Sequence, residues 1–150
     1  MTQTASSPTT LVLRHTYDAP REKVFDAWTT PEAMKAFMGP ADTKCPEIAM
    51  DFRVGGRYRI TMLLADGEKM FVGGVYREIK RPERIACTWK WEEDDPALEQ
   101  ETLLRLDFIA RGAQTELVLT HENFRDSAQR DRHEHGWSVI VEQLAAAVAK

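Results

Sequence analysis

The sequence predicts an α+β fold in which a curved antiparallel sheet of about seven strands wraps around a long C-terminal helix. Three observations predict it. Residues 18 to 40, DAPREKVFDAWTTPEAMKAFMGP, write a strand exit, two short helices and a Gly-Pro break. A succession of short β-type runs separated by turn residues comes next, and the chain closes on a long helical pattern carrying Trp137. The order is therefore strand, two helices, six strands, helix.

In the first element, Leu11, Leu13 and His15 alternate with Val12, Arg14 and Thr16, which gives a strand over residues 11 to 17. The period then changes. Pro20 suits a first helical turn, with Asp18 and Glu22 near its positive end, and Val24, Phe25 and Trp28 share one face. Thr30-Pro31-Glu32 repeats the start signal as cap, first-turn proline and first-turn carboxylate, so a second short helix runs to Gly39-Pro40. Strands follow over 43 to 51, 57 to 65, 69 to 79, 84 to 91, 101 to 110 and 114 to 121. Gly55-Gly56, Asp66-Gly67, Arg81-Pro82, Glu92 to Pro96 and Arg111-Gly112 separate them, and such short links imply antiparallel neighbours. Gly73-Gly74 inside a strand marks a bulge or bend that helps the sheet curl. Over residues 126 to 149, His133, Trp137, Ile140, Val141, Leu144 and Val148 form one stripe, and Asp126 with Gln129 resembles a weak capping box.

A chain of 150 residues fits one domain, expected over 11–150 behind a loose tail at 1–10. A net charge of -4 supplies no general attraction to phosphate backbones or anionic membrane surfaces, so neither nucleic acid nor membrane is an expected partner. Cys45 and Cys87 have no CxxC spacing, and MTQTASSPTT lacks the basic start and apolar run of a signal peptide. A reduced, cytoplasmic protein, monomer or homodimer, is the expectation. His133 and His135, two positions apart on a helix, point about 200° apart and do not chelate one ion unaided. His121-Glu122 lacks the second histidine of a metalloprotease motif, and GxSxG, Walker and GxGxxG runs are absent. No metal and no cofactor are expected. The Glu92-Glu93-Asp94-Asp95 cluster reads as a solvated loop.

DAPREKVFDAWTTPE, the Phe37-Met38-Gly39-Pro40 break, DFRVGGRYRI, GVYREIKRPERIACTWKW, LTHENF and HEHGW occur in order along residues 11 to 149. This series resembles the START/Bet v 1-like (SRPBCC) superfamily, and within it the bacterial branch related to activators of the heat-shock chaperone ATPase. The branch often carries paired tryptophans where Phe37-Met38 stand here. The resemblance implies a helix-grip fold with an apolar cavity between sheet and C-terminal helix.

Alternation supplies a lining for such a cavity. Tyr58, Ile60 and Met62 share a strand face, as do Cys87, Trp89 and Trp91, then Leu104, Leu106 and Phe108, then Leu117, Leu119 and His121. Together with Trp28, Phe37 and Met38 from the early helices, and His133, Trp137 and Val141 from the last, these residues describe an aromatic interior. That lining suits a small-molecule pocket and suits a packed core equally. His121 is the candidate general acid or base, with Tyr58 or His133 beside it; the alternative is a buried histidine satisfied by a backbone carbonyl. Arg57 and Arg59 anchor a ligand carboxylate at the cavity mouth or balance surface acids. The first functional expectation is binding of a small hydrophobic or aromatic molecule. The alternatives are a cochaperone that stimulates a heat-shock chaperone ATPase, and a cyclase or resistance-type enzyme acting on a polyketide-like metabolite.

Overall fold

The computed structural model describes residues 7–39 and 42–149. Residues 1–6 of the expected tail and Pro40 of the Gly-Pro break lie outside the described residues. The chain runs β1 (Thr10–Tyr17), α1 (Arg21–Asp26), α2 (Pro31–Lys35), β2 (Lys44–Met50), β3 (Arg57–Leu63), β4 (Lys69–Lys80), β5 (Arg84–Trp91), β6 (Thr102–Arg111), β7 (Gln114–Glu122) and α3 (Ser127–Val148). The strands form one antiparallel sheet in the order β1-β7-β6-β5-β4-β3-β2. Each β-run read from the sequence is a strand, with ends moved by a residue or two. A single 3-10 turn at Pro96–Leu98 sits in the long acidic link between β5 and β6, where Asp95 caps it through Ala97 N–H.

Local chemistry sets the helix starts. The Thr30 hydroxyl accepts from Ala33 N–H at 3.2 Å, and Pro31 occupies the first position of α2. Asp126 caps α3 by accepting from Gln129 N–H at 2.9 Å. Asp126→Ala is expected to cost about 1 kcal/mol, the usual worth of such a cap, read as a lowered urea midpoint at unchanged slope.

The inward faces of the strands meet α3 on the concave side of the sheet. Leu11, Ile60, Leu106, Leu119 and Leu144 are fully or almost fully buried there, with the aromatic rings of Tyr17, Phe25 and Phe108 around them. Hydrogen bonds of long sequence separation fasten the layers. Tyr17 donates to the Val141 carbonyl at 2.7 Å, and Gln143 Nε2 donates to the carbonyls of Phe37 and Gly39 at 2.8 and 2.7 Å. The convex face carries charge pairs instead, such as Arg84 with Asp107 and Arg111 with Glu116.

No register shift falls at the paired glycines of β4, Gly73 and Gly74. The register shift lies further on, between Tyr76 and Glu78. Gly74 stands opposite Tyr58, and a Cβ on Gly74 would lie 2.0 Å from the Thr88 carbonyl oxygen. The Tyr58 hydroxyl donates to that same oxygen at 2.5 Å. A glycine is needed because β5 backbone approaches too closely for any side chain.

Candidate functional site

Two of the spaces between sheet and helix gather most of the expected lining. The larger is a solvent-open cleft of about 330 Å³, bounded by Met62 and Met70 of the β3–β4 hairpin, by Trp89, Trp91 and Glu93 at the end of β5, and by the first half of α3. The smaller is an interior void of about 30 Å³ lined by Trp28, Met34, Met38, Tyr58, Ile60, Tyr76, Ile85, Cys87, Trp89, Leu104, Leu106 and Trp137. Most of the interior is therefore packed side chain, and the usable volume lies at one end.

The helix contributes Gln129, Arg132, His133, Gly136, Trp137 and Ile140 to the cleft, a run at helical spacing that makes one wall. Met62 and Met70 are direct cross-strand partners and make the opposite wall. Trp89 packs edge-on against Trp91 at 5.8 Å and tilts against Trp137 at 5.0 Å between ring centroids. The lining is thus aromatic and thioether, with Glu93, Gln129 and Arg132 at the rim.

His133 on the cleft wall and His121, buried behind Trp137, are each tied at both ring nitrogens. Thr102 Oγ1 donates to the Trp89 carbonyl at 2.7 Å, so its one hydrogen is used and it accepts from His121 Nε2–H, also at 2.7 Å. His121 Nδ1 then accepts from Trp137 Nε1–H at 3.0 Å. The partners are side chains, not the backbone carbonyl that the sequence suggested. His133 has the opposite tautomer: Nδ1–H donates to the Gln129 carbonyl at 2.9 Å, and Nε2 accepts from Trp91 Nε1–H at 2.9 Å. The two imidazoles meet edge to face at 5.2 Å without bonding each other.

The electrostatics follow from this packing. Burial, with a smaller contribution from neighbouring His133, holds the His121 pKa well below that of a free imidazole. Burial also lowers that of His133; the Gln129 carbonyl opposes this and Arg132 adds to it. Both rings are neutral tethers that fix a tryptophan each. Burial raises the Tyr58 phenol and pushes the Cys87 thiol up to about 12. Neither imidazole has a free ring nitrogen.

Of the expected lining, Met62, Trp89, Trp91, His133 and Trp137 come together around the cleft. Trp28, Met38, Tyr58, Ile60 and Leu104 surround the void, with Trp89 and Trp137 shared by both. Phe37, Phe108, Leu119, His121 and Val141 are buried and border neither space. Arg59 lies on the opposite face from Tyr58, paired with Glu92 at 2.7 Å and stacked over Phe71, which is the surface-balancing role.

Gly136 went unread in the sequence. It sits inside a helix of 22 residues, and a Cβ built on it meets nothing within 4 Å. Packing does not require a glycine there. The signal was a helix-interior glycine, which costs roughly 1 kcal/mol relative to alanine.

A curved antiparallel sheet gripping a C-terminal helix, with an aromatic cleft where the two separate, defines the helix-grip class. Within it, the chain belongs to the family described as Activator of Hsp90 ATPase homolog 1-like protein, which matches residues 18–149. A crystal structure from Chromobacterium violaceum is similar at 28% identity and a TM-score of 0.86, covering 95% of this chain and 98% of that one. The AHSA1 protein of Silicibacter pomeroyi is similar at 27% identity and a TM-score of 0.82, covering 93% and 97%. A Rhodobacter sphaeroides protein shares the fold at 21% identity and a TM-score of 0.82, covering 95% and 93%. No curated protein matches the chain. Among the described residues no helix is long and apolar enough to cross a membrane, and no cluster of metal-ligating side chains occurs.

Proposed function

We propose that the protein binds a small hydrophobic or aromatic molecule in the cleft between the β3–β5 end of the sheet and the first half of α3. The observation that carries this reading is Gly136. A helix-interior glycine that no neighbour requires, placed on the wall of a cleft of about 330 Å³, gives up helix stability and leaves open space. That volume sits at the lower end of the range of about 300–1,000 Å³ usual for small-molecule sites. The tethers on Trp91 and Trp137 hold two of its walls in place without a ligand, which lowers the ordering cost of binding.

Gly136→Leu is expected to keep or raise the melting temperature while abolishing saturable stabilisation by an aromatic probe such as naphthalene or anilinonaphthalene. Unchanged binding by a folded Gly136→Leu protein would place the ligand elsewhere. Met70 is 40% exposed on the facing wall, so Met70→Asp is expected to weaken such a probe about tenfold with little effect on folding.

The family's description favours a second reading, stimulation of a chaperone ATPase. Its test is independent of the cleft. Immobilised chaperone captures the protein and its ATPase rate rises, and Gly136→Leu leaves both effects intact.

A further inference from the structure

Two of the four tryptophans carry an indole N–H that is buried and has no hydrogen-bond acceptor among the described residues: Trp28 and Trp89, each 4% exposed. Both line the interior void of about 30 Å³. The other two tryptophans give their N–H groups to His121 and His133. The contrast is chemical as well as geometric. Buried donors are almost always paired, and a lone one on an apolar wall is costly to keep.

Of the other polar side chains that line the void, Tyr58 and Cys87 are already engaged, and the Tyr76 phenol stands beside them. The Tyr58 hydroxyl donates to the Thr88 carbonyl, and the Cys87 thiol reaches Tyr58 at 3.7 Å. The void is thus bordered by two residues whose indole N–H lacks an acceptor, and it has no cationic side chain in its lining. Trp89 and Trp137 line both the void and the outer cleft, so the two spaces share this ring pair as a wall. Trp137 is fastened to His121, whereas no hydrogen bond holds the Trp89 indole. Trp89 is held by ring packing alone, and Met34 and Met38, which share the lining, are unbranched side chains that repack readily.

We infer that the cleft continues inward past the Trp89–Trp137 wall into an end-site that takes one uncharged acceptor oxygen of the ligand, held by the indole N–H groups of Trp28 and Trp89. This rests on the cleft being the ligand site and adds the ligand's chemical class: a flat apolar body ending in a ketone, ester or ether. A carboxylate is excluded from the buried end, because its charge would have no partner there.

Methyl naphthyl ketone, its hydrocarbon isostere isopropenylnaphthalene, and naphthoate make a matched set of probes. Indole N–H correlation spectra of the full chain, assigned by single Trp→Phe substitutions, report all four tryptophans. The ketone is expected to move the Trp28 and Trp89 signals downfield and to bind about tenfold tighter than the hydrocarbon. Trp28→Phe is expected to abolish that advantage, so that ketone and hydrocarbon bind the variant with equal affinity. Equal affinity of ketone and hydrocarbon for the wild type, tightest binding of naphthoate, or a water signal at Trp28 that persists under saturating ketone overturns the end-site. If any of these accompanies shifts at Trp91 and Met70, the cleft reading survives without it. Failure of every probe to perturb Trp91, Met70 or the indole signals overturns both. The readouts on the wild-type chain decide the matter even if Trp28→Phe does not fold.

Discussion

Replacing His121 by alanine is expected to remove about 4 kcal/mol of folding stability, the largest loss of any single histidine in the chain. The ring is 0% exposed and stands between two layers, accepting from Trp137 of α3 and donating to Thr102 of β6. Alanine leaves a cavity and strands the Trp137 N–H, and these costs add. His121→Phe fills the space yet still strands that donor, so a smaller loss of about 2 kcal/mol is expected. A double-mutant cycle separates the two contributions. Trp137→Phe removes the donor, so it is expected to cost less in the His121→Phe background than in the wild type. Urea unfolding of the four proteins measures the cycle. A His121→Ala protein within about 1 kcal/mol of wild type would contradict a tethering role, because a domain this size has only about 5–15 kcal/mol to lose.

The strand faces were legible because alternation fixes which side chains turn inward, and Gly, Pro and Asp turns fix where each run stops. The span from Arg84 to Trp91 shows this: turns at Arg81-Pro82 and after Trp91 bound it, and Cys87 and Trp89 are buried as alternation requires. The interior was legible as a list and not as a space. Alternation says that Leu104 and Phe108 point at the helix, but summed side-chain volumes decide whether anything remains between them. Here little does, and the open volume lies beside Gly136 at the β3–β5 end of the sheet.

Pairing across elements was out of reach for a similar reason. His121 and Trp137 lie 16 positions apart, and Trp91 and His133 lie 42 apart. Only the register of α3 along the sheet brings each tryptophan N–H onto an imidazole. The resemblance to known sequences conveyed the fold and the general place of the helix. The tautomers follow from bonds that only the assembled structure displays.

Those tautomers set the acid stability. Below about pH 6.5 the unfolded chain protonates its histidines, whereas His121 and His133 stay neutral in the fold because burial lowers their pKa values. The unfolded state therefore binds more protons, and stability falls as pH falls. The loss begins near pH 6.5 and continues down to the depressed folded-state values. Two such groups give a limiting slope of about 2.7 kcal/mol per pH unit. Carboxylates act in a lower window. The Glu92 and Glu116 pKa values are lowered chiefly by hydrogen bonds from Arg59 and Arg111, so their contributions are lost only as pH drops below the ordinary carboxylate range near 4.5. Urea unfolding at intervals from pH 7.5 to pH 5 isolates the histidine window. His133→Gln retains a donor and an acceptor without a titrating nitrogen, and it is expected to lower the slope by up to about 1.4 kcal/mol per pH unit. Protonated His133 would set an N–H against the Trp91 N–H, so the Trp91 indole signal of the folded protein is expected to hold steady while stability falls and to shift only below that window, where His133 takes up its proton, a shift absent in His133→Gln. A stability profile flat across that window would mean that the two imidazoles accept protons in the fold as readily as in water, which the Trp137 and Trp91 bonds forbid.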